Sequence, residues 1–322
     1  MTEPPDDPGS GHPHLQRHSD LELVLPPPTP VSGDSTAGVV VRSHLRRQTA
    51  ALLAADAGLD DDLPDAVHAS RVAARRLRSG LRIYGDLLTD DLSVRLRPEL
   101  SWYAGQLSPV RDLEVFTETL SRDTEDANGY GDVLLPWLRH RHAVALAAAL
   151  PALRSSRADA LRVALARLAT DPRFTHDAAK RAVKILGPRV LHADDRAARL
   201  LAQLRPGDAS ASWHSARISA KRARYAAEVG APALGRPCQE LASMWSQLTE
   251  PLGNGQDAAI QRALVLDRVD DTSAPISAGE AFVCGVYVAA THDREVESHR
   301  AARAVWRESR SRHRALRQAL GA

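Results

Sequence analysis

The chain has 322 residues, 43% of them hydrophobic and 25% charged, with a formal net charge of +2. A chain of this size can bury a hydrophobic core, and its length fits one large globular domain or two similar halves. No stretch approaches the roughly 18 uninterrupted apolar residues of a membrane span, and the first residues lack a secretory pattern. We therefore expect a soluble, cytoplasmic protein.

Nearly all of the basic residues are Arg, because Lys180, Lys184 and Lys221 are the only lysines. Residues 1–36 hold one Arg and six acidic residues, so the rest of the chain is more basic than the net charge suggests. The planar guanidinium of Arg can grip a phosphate or carboxylate through two parallel hydrogen bonds. Composition alone therefore does not identify what these Arg residues bind.

Residues 1–36 are rich in Pro, Gly, Ser and Asp, which predicts a disordered tail. From Val39 onward apolar residues recur every three or four positions, and strand-like alternation is nearly absent, so we predict an all-α fold. The predicted helices span residues 38–56, 64–88, 92–122, 131–150, 155–170, 176–204, 210–230, 237–268 and 278–320.

One pattern of residues occurs twice. Residues 67–78 read VHASRVAARRLR and residues 213–224 read WHSARISAKRAR, so that the His and four basic positions keep the same spacing. A second block follows each copy, LSPVRDL and LGNGQDA, and places Asp112 and Asp257 at nearly the same distance from the preceding His. We therefore predict a domain over residues 37–320 made of two duplicated helical bundles, 37–170 and 176–320.

On a helix with about 100° per residue, the basic groups of each copy fall within a stripe about 80° wide, opposite an apolar face. The stripe of the first copy contains His68, Arg71, Arg75, Arg78 and Arg82. The stripe of the second copy contains His214, Arg217, Lys221 and Arg224. Glu228 stands where Arg82 stands in the first copy, and we expect it to pair with an Arg.

Like charges three or four residues apart repel by a few tenths of a kcal/mol per pair. Either internal acids such as Asp112, Glu114 and Asp257 neutralise these stripes, or an external polyanion does. The last predicted helix carries a further stripe of Arg between residues 300 and 317, from which we predict three binding residues: Arg303, Arg307 and Arg310. Stripes that converge on one cleft would fit a ligand with closely spaced negative charges, such as linear polyphosphate.

The two His-led blocks, with the Val-Arg-Asp-Leu-Glu and Leu-Gly-x-x-x-Asp segments that follow them, resemble the CHAD family, the conserved-histidine α-helical domain. The resemblance covers about residues 37–320 and implies two pseudo-symmetric antiparallel bundles of about four helices each around a basic central cavity. It also implies binding of inorganic polyphosphate through the nine residues of the two stripes, often at polyphosphate granules. Many such domains follow a triphosphate tunnel enzyme, but no Glu-x-Glu-x-Lys signature of that enzyme occurs, so a stand-alone domain is expected.

Two other functions remain open from the residues alone. Nucleic-acid backbones would also satisfy Arg stripes, although few aromatic residues interleave them and no base-reading motif occurs. A phosphohydrolase or a His phospho-acceptor would normally need metal-holding carboxylates or a phosphate loop, and neither GxxxxGK[ST] nor HExxH is present. We therefore predict a protein that is not an enzyme, needs no cofactor or metal, and has polyphosphate rather than a nucleic acid or a membrane as its partner.

Overall fold

A computed structural model describes residues 25–321 except for residues 60, 62, 64, 124–128, 206 and 273. In this part the chain forms ten α-helices and two isolated β-bridges but no strand, which confirms the all-α prediction. None of the described helices combines the length and the apolar character needed to cross a bilayer. The helices are α1 (Ala37–Ala57), α2 (Ala66–Tyr84), α3 (Leu92–Gln106), α4 (Ser108–Asp123), α5 (Tyr130–Leu153), α6 (Ser156–Thr170), α7 (Ala182–Gln203), α8 (Ser210–Leu234), α9 (Arg236–Asp270) and α10 (Ala278–Gly321).

The predicted helix 92–122 is two helices in the structure, because the chain breaks at Leu107 between α3 and α4. Pro109 has no backbone N–H with which to continue the hydrogen bonds of α3. It is tolerated in the first turn of α4, where N–H groups have no partner within the helix. Pro251 lies inside α9, which continues through it. The two prolines therefore have different effects: Pro109 lies within the first block of the repeat, and Pro251 directly precedes the second.

The predicted disordered tail lies partly outside the described residues, since residues 1–24 are not among them. Its end packs against α1: Ser43 Oγ donates to the carbonyl oxygen of Thr29 at 3.0 Å, and Arg46 Nη1 donates to that of Pro27 at 3.3 Å. A Pro-rich segment cannot form a regular ladder, but its carbonyl groups still accept hydrogen bonds from side chains. Pro27 and Thr29 of the predicted tail therefore contact α1 through their carbonyl groups.

Three clusters of buried apolar side chains hold the described helices together. The first lies mainly among α1, α2, α3 and α6, and the second among α7, α8, the first half of α9 and the second half of α10. The third joins α4 and α5 to the remaining halves of α9 and α10, where the Phe116 and Tyr287 rings stack at 5.2 Å. The sequence did not predict this shared third core.

The helices that carry the repeated pattern, α2 and α8, meet where the first two clusters adjoin. The buried Tyr84 hydroxyl donates to the carbonyl oxygen of Ala226 at 2.8 Å, and Ile83 packs against both clusters. The two copies of the pattern are therefore neighbours in space as well as related in sequence.

A buried carboxylate on α7 ties the second cluster together. Asp194 is fully buried, and its Oδ1 accepts a hydrogen bond from Trp245 Nε1 at 2.9 Å. The same carboxylate lies 2.9 Å from His313 Nε2 and 3.2 Å from Arg317 Nη1. Helices α7, α9 and α10 are thus linked through one side chain.

Replacing this carboxylate should destabilise the fold strongly. Asp194→Ala leaves the donors of Trp245, His313 and Arg317 without their acceptor, and breaking a buried charge network of this kind costs about 3–5 kcal/mol. Asp195→Ala removes a partly exposed partner of the same Arg317 and should cost at most about 1 kcal/mol. Urea unfolding of the two variants checks this, and a similar loss in both would contradict the assignment.

Candidate anion-binding site

The apolar faces of α2 and α8 direct their basic stripes toward one region. On α2, Leu77 and Leu81 are at most 3% exposed and belong to the first apolar cluster. On α8, the buried face consists largely of Ala216, Ala220 and Ala223, whose small side chains allow close packing. Because the cores hold these faces, the opposite stripes have little freedom to turn away from each other.

Arg75 of α2 meets Arg217 and Lys221 of α8. Burial, followed by the nearby charges of Arg75 and Arg217, lowers the pKa of Lys221 to about 6. Among the described residues, none of these three cations forms an ion pair or a side-chain hydrogen bond, and the Nε atom of Arg217 is buried without a partner. These groups form the centre of the site, and their charges are not balanced by direct contacts.

Two carboxylates approach this centre from other helices. Burial raises the pKa of Asp112 on α4, which Arg71 opposes, and burial raises the pKa of Asp257 on α9, which Arg217 opposes. Neither carboxylate forms an ion pair within the part of the chain that the structure describes. Four basic side chains, Arg71, Arg75, Arg217 and Lys221, therefore face two carboxylates, and these internal acids balance the three Arg charges only in part.

Arg71 also has a structural contact that the sequence did not predict. Its Nη1 donates to the carbonyl oxygen of Ala104 at 3.1 Å and to Ser108 Oγ at 2.5 Å. The last carbonyl groups of a helix lack partners within that helix, so a guanidinium at this place stabilises the end of α3. Arg71 thus holds the α3–α4 break in addition to contributing charge to the site.

The two His residues have a neighbour at the same place in the repeat. His214 Nδ1 lies 2.6 Å from Gln256 Oε1, so this ring nitrogen donates the hydrogen bond. Burial, and then Arg111, lowers the pKa of His68. Arg111 and Gln256 each precede the Asp of their block, Asp112 or Asp257, by one residue, a signal that the sequence contained and that sequence reasoning missed.

Glu228 forms the ion pairs that the sequence predicted. It accepts a hydrogen bond from Arg224 Nε at 2.6 Å, and its Oε2 lies 3.4 Å from Arg76 Nη2 on α2. This carboxylate neutralises part of the stripe on α8. Arg78 donates to Ser101 Oγ at 2.8 Å, while Arg82 is exposed.

The structure does not bring Arg303, Arg307 and Arg310 to this centre. All three are exposed on α10, whose buried face includes His299, Ala302 and His313. At about 100° per residue, the Arg stripe lies roughly a quarter turn from that face. None of the three is among the charges that shift the pKa of Lys221 or Arg217. Their role in binding stays a prediction for a separate surface.

The low pKa of Lys221 predicts a specific dependence of stability on pH. Its ordinary value is 10.5 and its folded value is about 6, so the unfolded chain binds more protons between these values and stability should rise with pH. The loss of stability caused by burying Lys221 is complete below about pH 6 and absent above about pH 10.5. Lys221→Met should therefore raise the melting temperature by a few degrees at pH 6 and progressively less toward pH 10. Thermal melts across this range, with the exposed Lys184→Met as control, check it; a gain independent of pH would contradict it.

Comparisons with known proteins agree with this architecture. No curated protein sequence matches the chain. PptA from Streptomyces chartreusis superimposes with a TM-score of 0.67 at 25% identity, covering 85% of this chain and all of that one. The CHAD domain from the plant Ricinus communis superimposes with a TM-score of 0.68 at 24% identity, covering 87% of this chain and 96% of that one. The family model described as the CHAD domain matches residues 43–266. Since that match spans more than half of the chain, the protein belongs to the CHAD family.

Proposed function

We propose that this CHAD protein binds inorganic polyphosphate and does not catalyse a reaction on it. The observation that carries the proposal is the group of basic side chains, Arg75, Arg217 and Lys221, that gather where α2 meets α8 and form no ion pair within the described residues. Gathering like charges and removing them from water costs free energy. A bound polyanion would offset this cost by neutralising the charges. The site therefore favours a ligand of high negative charge density.

The length of the cationic surface favours a polymer. From His68 to Arg82, the stripe on α2 extends over roughly 21 Å at about 1.5 Å per residue. A triphosphate is too short to contact all of it. Each guanidinium can hold phosphoryl oxygens through two parallel hydrogen bonds, and a neighbouring polyanion favours the charged form of Lys221. An extended chain of phosphates is therefore the ligand that uses the whole stripe.

The surroundings of the two carboxylates support binding rather than phosphoryl transfer. Asp112 faces Arg71 and Asp257 faces Arg217, so both act as partial counter-charges to the site's own cations. In enzymes that transfer phosphoryl groups, carboxylates of this kind commonly hold Mg²⁺. Here the two carboxylates face Arg side chains instead, which favours binding without transfer. Association of the protein with polyphosphate granules in the cytoplasm would follow from the same affinity.

The polymer and a compact phosphate should bind very differently. We expect calorimetry to show tight binding of long-chain polyphosphate, much weaker binding of triphosphate, and no hydrolysis of either with Mg²⁺ or Mn²⁺. The logarithm of affinity for the polymer should fall steeply with the logarithm of salt concentration, because many counterions are released. Equal affinity for both ligands with little salt dependence would indicate a compact site, and preference for DNA over polyphosphate in competition would indicate a nucleic-acid ligand.

Removing one central cation should weaken binding without unfolding the protein. Arg75→Ala should lower the affinity for long-chain polyphosphate by about tenfold, the scale of one charge-assisted hydrogen bond. The melting temperature should change by no more than a few degrees, since Arg75 lies away from the apolar face of α2. Arg236→Ala is the matched control: it removes the same charge from an exposed residue paired with Glu240 on α9. Equal losses of affinity in both variants would show that only net charge matters.

A further inference from the structure

Four Arg residues gather beside the central site, where α2, α7 and α8 contact one another. We name this group the Arg222 corner; its members are Arg78 and Arg82 of α2, Arg196 of α7 and Arg222 of α8. Arg82 and Arg196 are exposed, and Arg222 is partly buried. Arg222 falls outside the stripe that the sequence pattern defines on α8, so its helix position alone did not connect it with the site.

The Arg222 corner contains cations without acidic partners. Within the described residues, Arg82, Arg196 and Arg222 form no ion pair or side-chain hydrogen bond. Burial lowers the pKa of Arg222, and the charges that lower it further are Arg82, Arg196 and Arg78. No carboxylate of the described residues is among the charges that shift the pKa of Arg222. Like charges gathered in this way repel one another, and an anion bound from outside would relieve the repulsion.

The equivalent corner of the other copy is neutralised. The repeat places Arg76 on α2 where Arg222 stands on α8, and Glu228 on α8 where Arg82 stands on α2. Glu228 bridges Arg224 and Arg76 at 2.6 and 3.4 Å. One end of the cationic surface is thus closed by ion pairs, while the end at Arg82 and Arg222 remains free for a ligand.

The Arg222 corner is continuous with the central site. Arg75 and Arg82 flank Arg78 and both lower its pKa, and Arg75 also acts on Lys221. From Arg75 to Arg82 the helix rises about 10 Å. A phosphate chain held at the centre could therefore reach the Arg222 corner along one face of α2.

We propose that the Arg222 corner is a second phosphate-binding site, over which a polyphosphate chain bound at the centre extends in one direction only. This inference rests on the proposed function, since it assigns the path of the same ligand. A short phosphate that occupies the centre would not reach the corner. Long and short chains should therefore respond differently when the corner loses charge.

The experiment compares Arg222→Ala with Arg76→Ala, which removes the same charge at the equivalent, ion-paired position. Against long-chain polyphosphate, Arg222→Ala should lower affinity about tenfold and reduce the slope of log affinity against log salt by about 0.9. Arg76→Ala should change affinity less than about twofold on the same scale. Neither variant should alter the binding of tripolyphosphate, and Arg222→Lys should restore most of the salt slope.

Arg196→Ala provides a second variant for the case in which loss of the partly buried Arg222 disturbs folding, because Arg196 is exposed on α7. It should also weaken binding of the long polymer and leave tripolyphosphate unaffected, with an unchanged melting temperature. Wild-type protein that fails to bind long-chain polyphosphate would overturn the proposed function itself. If the wild-type protein binds the long polymer and Arg196→Ala binds it equally well, the Arg222 corner is not a phosphate-binding site. Equal losses of affinity in Arg222→Ala and Arg76→Ala would lead to the same conclusion, and neither result would contradict the proposed function.

Discussion

The contact between α2 and α8 is the constraint on which the rest of this molecule depends. Apolar faces on both helices bury into their own clusters, and the hydrogen bond from Tyr84 to the Ala226 carbonyl joins the two copies. With these faces held, the basic stripes are forced together although their charges repel. Hydrophobic burial, at about 25 cal/mol per Å², supplies the free energy that offsets this repulsion.

The two copies of the pattern share their geometry but differ in charge. Glu228 replaces the cation that Arg82 provides in the first copy, and it binds Arg76 and Arg224. Gln256 likewise replaces Arg111, so His214 has a neutral hydrogen-bond partner while His68 lies beside a cation. The two copies of the pattern therefore have the same spacing but different charges at these positions.

The free-energy cost of burying like charges in the site connects the stability of the fold with ligand binding. Burial and two Arg neighbours lower the pKa of Lys221 to about 6, because they disfavour its ammonium form. Asp112 and Asp257 relieve part of the repulsion from a distance and leave an excess of positive charge. A site arranged in this way costs the free protein stability, which a polyanionic ligand would restore.

The sequence by itself determined the helical fold, the duplication and the face of each helix that carries charge, because these depend on local period and spacing. It also predicted that Glu228 would pair with an Arg. Only the tertiary structure decided which cations remain free. Arg71 is engaged at the end of α3 and Arg76 is paired across to α8, whereas Arg75, Arg217 and Lys221 are not. The break at Leu107, the third apolar core and the separation of the Arg stripe on α10 were likewise decided there. Each depends on distances between helices far apart in sequence, which helical periodicity does not encode.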